Sequence, residues 1–346
     1  MPKVHPRLTA ALAVSLASLL FLSACGGDSE DEAKGDTSSS ASASPSASGA
    51  PTLADPKPED TEQVEGIEVT PAKGEKAPTI SISDTPVKVS QTTRHIVKEG
   101  TGKELSEDAM AEVDLAMFSA KDGKAIKGTE TYTTSPAYFN VADAESLRGV
   151  AKAIQGQTVG SRGVAVLPPE DVFGKEGMPE YGISGKDDIV VVFDLRGEMP
   201  KSAEGTKVAP KEGLPKIEWK EDAPASITVP EGEKAPTKFV EQKLIKGEGK
   251  TVAKDDTAYV SYSVATWRDG KVFDSSMKEG RGPFGFTVGQ GGVIPGFDQA
   301  VEGAKVGDRL LLVIPPKDGY GKEGSPDGTV KGTDTLIYVV DVLAAP

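Results

Sequence analysis

Val293-Ile294-Pro295-Gly296-Phe297-Asp298-Gln299-Ala300-Val301-Glu302-Gly303 is the one stretch of this chain that reads convincingly as a helix. Proline suits a helix start, where its missing N–H has no partner to lose, and glycine suits the position just past the end. Between them Phe297, Ala300 and Val301 fall at i, i+3 and i+4 and share one face. Around this short helix the pattern is strand. Thr257 to Val264 alternates, with Val260 and Tyr262 on one face and Tyr259 and Ser261 on the other. Arg268-Asp269-Gly270-Lys271 is a turn, because Asp-Gly supplies the positive φ a tight hairpin wants, and Val272-Phe273 begins the return. Arg309 to Ile314 is a strand stopped by Pro315-Pro316. Thr335 to Leu343 is continuously apolar and suits the middle of a sheet. One short helix among many antiparallel strands predicts the α+β class, with a sheet wrapped around the helix.

The pattern occurs twice. A shift of 147 residues superposes two long stretches without gaps. Asp122-Gly123-Lys124 falls on Asp269-Gly270-Lys271, and Pro136, Phe139 and Val141 fall on Pro283, Phe286 and Val288. Gly149 and Gly156 fall on Gly296 and Gly303. Pro168-Pro169 falls on Pro315-Pro316, Gly174-Lys175-Glu176-Gly177 on Gly321-Lys322-Glu323-Gly324, and Asp194 on Asp341. A looser match reaches earlier, where Ala77-Pro78 and Ala223-Pro224 each precede a short β-like run. The period is far longer than that of a solenoid repeat, so this is a duplicated domain. The repeats are expected over residues 66–200 and 212–346, joined by a linker over 201–211.

Composition narrows the chemistry. The chain has 346 residues, one Cys, two His and a net charge of −14. One Cys cannot form an internal disulfide or a Cys-rich metal site. With only His5 and His95, a multi-His metal centre is excluded, and a His-based nucleophilic site would hang on His95 alone. The negative balance argues against nucleic acid as a partner. Glu170-Asp171 pairs carboxylates only in sequence, since neighbours along a chain seldom face one site.

The amino-terminal residues read as an address and a tether. Lys3 and Arg7 precede the apolar run Leu8 to Leu22, which is shorter than a spanning helix needs. Leu22-Ser23-Ala24-Cys25 follows. The combination resembles a bacterial lipoprotein signal, which implies removal of residues 1–24 and lipidation of Cys25. Residues 25–65 are rich in Ser, Ala, Pro and acids, too polar to offset their ordering entropy, and are expected to be a disordered tether.

The carboxy-terminal repeat also resembles a known family. The order Val260-Ser261-Tyr262, Gly270-Lys271-Val272-Phe273-Asp274-Ser275-Ser276, Pro283-Phe284-Gly285-Phe286, Val293-Ile294-Pro295-Gly296-Phe297, Gly319-Tyr320-Gly321 and Thr335-Leu336-Ile337-Tyr338 is similar to that of FKBP-type peptidyl-prolyl cis-trans isomerases. The match runs from about Phe239 to Leu343. It implies two tandem FKBP-like domains, each an antiparallel sheet around one short helix. It also implies a pocket floored by Phe297 and walled by Tyr262, Phe273, Phe284, Val293, Ile294 and Tyr338. Asp274 would sit at the rim near the substrate carbonyl, Tyr320 would hydrogen-bond the bound peptide, and the Val293-Ile294 backbone would also meet it. A His that many members carry after the Tyr-Gly has no counterpart, since the region reads Ser325-Pro326-Asp327-Gly328-Thr329-Val330. Taken alone, Phe273, Phe284, Phe286 and Phe297 read as core.

The reaction explains the residue types. Amide resonance sets a barrier of about 18–20 kcal/mol to rotation about X-Pro, and unaided exchange takes tens to hundreds of seconds, roughly. No bond breaks, so no nucleophile, metal or cofactor is expected. The expected partners are proline-containing unfolded or extended polypeptides, the family's macrolide-type inhibitors, and a membrane through the lipid on Cys25. The expected location is extracytoplasmic, anchored to a bacterial cell membrane. A non-catalytic, polypeptide-holding chaperone or adaptor using the same groove is the alternative. In the amino-terminal repeat the shift turns Tyr262 into Leu115 and Phe273-Asp274 into Ile126-Lys127. It turns Phe284 into Ala137, Val293-Ile294 into Ser146-Leu147, Phe297 into Val150, Tyr320 into Phe173 and Tyr338 into Val191. That copy is expected to keep the frame and lose the pocket.

Overall fold

The computed structural model describes residues 52–346, apart from 74, 75, 143–146, 222, 279 and 280. The lipidation position Cys25, the signal over 1–24 and most of the expected tether lie outside the described residues. The chain divides into two units near Gly197.

Elements are numbered along the whole chain. In the amino-terminal unit these are α1 (Pro58–Glu65), β1 (Ile67–Thr70), β2 (Thr79–Ile82), β3 (Thr93–Lys98), β4 (Met110–Ser119), β5 (Ala137–Asn140), α2 (Arg148–Ile154), β6 (Arg162–Leu167) and β7 (Ile189–Glu198). In the carboxy-terminal unit they are β8 (Thr206–Lys207), β9 (Lys216–Lys220), β10 (Ala223–Thr228), β11 (Val240–Lys246), β12 (Thr257–Thr266), β13 (Val272–Ser275), β14 (Phe284–Thr287), α3 (Pro295–Val301), β15 (Arg309–Ile314) and β16 (Leu336–Ala344).

The main sheet of the carboxy-terminal unit runs β13-β12-β16-β15-β11-β8, with β14 also pairing β12. The strands pair antiparallel. β16 is central, as its largely apolar sequence, interrupted by Asp341, predicts. Its two-residue period divides it cleanly between two cores. Leu336, Tyr338, Val340 and Val342 face α3 together with Val260, Val264, Leu310, Leu312 and Ile314. Ile337 and Val339 face the other way with Ala265, Trp267, Leu311 and Val313. That second face is covered by the β9–β10 hairpin, whose Ile217, Trp219 and Ile227 close over it. Both faces are therefore dry, which is why the alternation of a half-exposed strand is missing.

The helix lies directly on the sheet. A Cβ on Gly296 would come 2.7 Å from the Ile314 side chain, and one on Gly149 would come 2.6 Å from Leu167. The repeated glycine is thus required by close approach of helix to strand. At the β12–β13 turn Gly270 has φ 67°, and Asp269 Oδ1 accepts from the Lys271 N–H at 3.0 Å. Both features follow from the Asp-Gly pair.

The amino-terminal unit repeats this frame, with sheet order β3-β6-β7-β4-β5. Its outer face, including Phe118, Val164, Val166, Val190 and Val192, is covered by the β1–β2 hairpin and α1. Among the described residues no helix is long and apolar enough to cross a membrane.

Two expected boundaries shift. Residues 58–65, expected in the tether, form α1. Glu59, Asp60 and Glu62 make the segment look solvated, yet Val64 is fully buried and Asp60 accepts from the Ser90 N–H and hydroxyl at 3.1 and 2.7 Å. The expected linker, 201–211, is folded onto the second sheet. β8 pairs with β11, the buried Ala203 N–H donates to Asp341 Oδ2 at 2.7 Å, and the Lys211 N–H donates to Gln242 Oε1 at 3.1 Å. These contacts are mostly through the backbone, so side-chain composition did not reveal them.

Candidate functional site

The inner face of the second sheet carries a cluster of aromatic side chains at its β12–β13 end. Val260, Tyr262 and Val264 alternate inward along β12, which sets Tyr262 above the core. The Tyr262 backbone is fixed by the following strand. Its N–H donates to Ser276 Oγ at 2.9 Å, and its carbonyl accepts from the Ser276 N–H at 3.1 Å and Ser275 Oγ at 2.8 Å. Phe297, on α3, is 3% exposed and lies among these rings. Its ring centroid lies 5.2 Å from Tyr338, 5.6 Å from Phe286 and 6.4 Å from Tyr262. Tyr262 meets Phe284 edge-on at 6.1 Å, and Phe284 stacks on Phe286 at 5.7 Å. These offset and edge-to-face geometries suit the ring quadrupoles.

Phe273, Val293 and Ile294 are half-buried against the same cluster. Ile294 is extended (φ −61°, ψ 145°), as the residue before a proline must be. Its carbonyl is the first acceptor of α3, taking the Phe297 and Asp298 N–H groups at 3.0 and 3.1 Å. That one backbone group is therefore committed to the helix. Phe284 and Tyr320 are each 38% exposed, whereas Tyr338 is 9% exposed. Among the described residues Tyr320 makes no ring contact. The structure thus brings eight of the nine expected residues into one cluster and leaves Tyr320 beside it.

Electrostatics at the rim centre on Asp274. The Tyr262 hydroxyl donates to Asp274 Oδ2 at 2.7 Å. Arg281 Nη1 lies 2.8 Å from Oδ1, and Lys278 Nζ lies 3.5 Å from it while donating to the Phe273 carbonyl at 2.7 Å. Burial works to raise the carboxyl. The Tyr262 hydroxyl, the Ser275 amide and the two cations outweigh it and hold Asp274 below the usual carboxylate range. Burial pushes the Tyr262 and Tyr338 hydroxyls well up, and for Tyr262 the Asp274 carboxylate adds to this. Both phenols stay protonated and can only be titrated far into base. The sequence reading did not single out Lys278 or Arg281, nor Val330, which is 3% exposed in the same cluster as Phe297. Arg281 follows Asp274 by seven residues across a loop, so no strand or helix period links them.

The amino-terminal copy has a different interior. Leu115, Ile126, Val150 and Val191 are all at 9% exposure or less, and Lys127 is exposed where Asp274 stands in the other copy. Arg148 replaces Pro295, and Leu147 ahead of it is left-handed at φ 48°, unlike Ile294. Ser146 lies outside the described residues. Asp171 is buried and held by Arg148 Nε at 2.6 Å, Lys152 Nζ at 2.8 Å and Thr92 Oγ1 at 2.5 Å. Neither cation has a basic counterpart in the carboxy-terminal copy, where Pro295 and Gln299 stand.

An antiparallel sheet packing a cluster of aromatic rings over one short helix is an arrangement shared with known proteins. The model of the FKBP-type peptidyl-prolyl cis-trans isomerase family matches residues 248–343. An FK506-binding protein of Streptomyces anulatus is 36% identical over 123 residues, which is 34% of this chain and 98% of that protein. Peptidyl-prolyl cis-trans isomerase FKBP15-2 of Arabidopsis thaliana is 47% identical over 91 residues. That match takes in 26% of this chain and 54% of the plant protein, so the chain spans about half of that relative's length. Among solved structures, the three FKBP domains of wheat FKBP73 align at 21% identity and a TM-score of 0.31, over 76% of this chain and 98% of that one. The chain belongs to the FKBP-type peptidyl-prolyl cis-trans isomerase family.

Proposed function

We propose that the carboxy-terminal domain catalyses cis-trans isomerisation of X-Pro bonds in polypeptides folding outside the cytoplasm, from a chain held at a bacterial cell membrane by lipid on Cys25. The observation that carries the catalytic part is the Tyr262–Asp274 hydrogen bond above a floor of Phe297. A proline ring enters the cavity among Phe297, Phe273 and Tyr338, and Val293 and Ile294 line its approach. Phe284 and Tyr320, exposed at the mouth, meet the flanking chain. Removing water from the imide disfavours the planar, resonance-stabilised ground state more than the less polar twisted one. That is preferential binding of the transition state, with desolvation as its means. The Asp274–Tyr262 pair keeps a polar edge beside the substrate carbonyl without offering a proton.

The same cavity accommodates macrolide inhibitors of the kind named for the Streptomyces relative. The amino-terminal domain, with Leu115 and Val150 where Tyr262 and Phe297 stand, acts as a non-catalytic polypeptide-binding or spacing module. Membrane attachment is supported by Lys3, Arg7, the apolar run to Leu22 and Leu22-Ser23-Ala24-Cys25. The test is a proline-limited peptide assay on the full chain beside Asp274→Ala and Tyr262→Ala. Acceleration that both variants reduce and FK506 blocks supports the reading, and no acceleration sinks it. Labelling with a lipid precursor, absent in Cys25→Ser, tests the anchor separately.

A further inference from the structure

Beside Tyr320 stands a rim loop, Ser325 to Val330, to which the isomerase reading gives no role. Its base belongs to the pocket, since Val330 packs in the cluster that holds Phe297 and Tyr338. The loop closes on itself. The Ser325 N–H donates to the Val330 carbonyl at 2.8 Å, and the Val330 N–H donates to Ser325 Oγ at 2.9 Å. The Gly328 N–H donates to the Ser325 carbonyl at 2.9 Å. At the tip, Asp327 is exposed yet fixed. Its carboxylate accepts from Ser325 Oγ in a short hydrogen bond, from Thr329 Oγ1 at 2.7 Å and from the Thr329 N–H at 3.2 Å.

The mouth therefore carries two carboxylates in different states. Asp274 is neutralised by Arg281 and Lys278. Asp327 is held only by neutral donors, and no cation among the described residues lies within ion-pair distance of it. Those donors push its pKa down to about 2, so it is charged at any working pH. Its field reaches the mouth, where it adds to burial in raising the Tyr320 hydroxyl. A carboxylate has about four acceptor sites, so a fixed Asp327 can still accept from an incoming donor.

We propose that Asp327 is a specificity-determining residue, favouring substrates with lysine or arginine flanking the proline and disfavouring those with glutamate or aspartate there. This rests on the isomerase reading of the adjoining pocket. The charge is preorganised, so a substrate cation meets it without reordering the loop. Because the site is exposed, the effect is modest and sensitive to salt.

The test is kcat/KM for the full chain on Ala-X-Pro-Phe and Ala-Leu-Pro-X peptides, with X as Lys, Leu or Glu, followed by a protease-free exchange assay. In low salt the Lys-to-Glu ratio should be about threefold to tenfold at one of the two positions. It should shrink in high salt, fall to about one in Asp327→Asn and invert in Asp327→Lys. Ratios within one variant are insensitive to a general loss of activity, and misfolding cannot invert a preference. Turnover of the Leu peptides with the same Lys-to-Glu ratio in wild type and Asp327→Asn, at both positions, would overturn the inference. No acceleration of any peptide would overturn the isomerase reading and this inference with it.

Discussion

Where the carboxy-terminal repeat holds Tyr262 half-buried and hydrogen-bonded to Asp274, the amino-terminal repeat holds Leu115 at 4% exposure and has the exposed Lys127 at the position of Asp274. Where the first has Phe297 among the rings of Tyr262, Phe286 and Tyr338, the second has Val150, fully buried. The strands beneath these positions correspond one to one: β12 with β4, β15 with β6 and β16 with β7. Residues that close the sheet on the helix, such as Gly149 and Gly296, persist. The aromatics at the positions of Tyr262, Phe284, Phe297 and Tyr338 do not. Folding requires only that the inner face be filled, and aliphatic side chains do that as well as aromatic ones. Binding a proline requires rings that hold a gap between them. The loss of Pro295 matters as much, because without it Leu147 adopts a left-handed backbone that Ile294 cannot adopt.

The comparison can be broken most sharply at the floor. Phe297→Ala should lower the stability of the carboxy-terminal unit by about 3–5 kcal/mol, read by denaturant unfolding, and abolish turnover. Unchanged melting and unchanged turnover together would remove Phe297 from the pocket floor. Next comes the segment that joins the second sheet. A fragment over residues 212–346 should be less stable than one over 197–346 by about 1–3 kcal/mol, because it loses β8 and a donor to the buried Asp341. Equal midpoints would return 201–211 to the status of a linker.

At the rim, Asp274→Ala should reduce kcat/KM about tenfold, the equivalent of ~1.4 kcal/mol, while stability changes little. A grafting experiment then sharpens the contrast. Leu115→Tyr with Lys127→Asp, made in an Asp274→Ala background, should restore no turnover, since Val150 and Leu147 still shape the first interior. Recovered turnover would show that the rim pair alone makes the catalyst. The smallest effect is in pH. Asp274 has a depressed folded pKa, so its contribution to stability is fully present above the unfolded value of about 3.9 and is lost as pH falls through the lower folded value. Turnover should therefore stay flat from about pH 8 to about pH 5, and a titration within that window would contradict an ionised Asp274.

Much of this was legible in the residues. The Pro295–Gly303 pattern marks α3, the Asp269-Gly270 pair marks the hairpin, and the largely apolar run marks β16. The cluster at the site followed from the family order of its aromatics. What stayed hidden has physical reasons. The β9–β10 hairpin works through alternate residues of a mostly polar segment, so Trp219 gave no hint that its ring lies 4.2 Å from the Arg309 guanidinium, beside the Arg309–Asp341 ion pair. The β8 contacts are largely main-chain. Arg281 reaches Asp274 through a loop with no period. α1 buries one valine and one aspartate in an otherwise solvated run.

The place of β16 in the sheet has a consequence for how the molecule assembles. In both repeats the central strand, β7 or β16, is the last one synthesised, while the hairpin that covers its outer face is among the first. Ile217 must wait for Ile337 and Val339 before it has anything to cover. Contacts so distant along the chain carry a large loop-closure entropy and make for slow folding. A repeat that has emerged as far as β15 still lacks the middle of its sheet. Each repeat therefore cannot complete its sheet until its final strand is present.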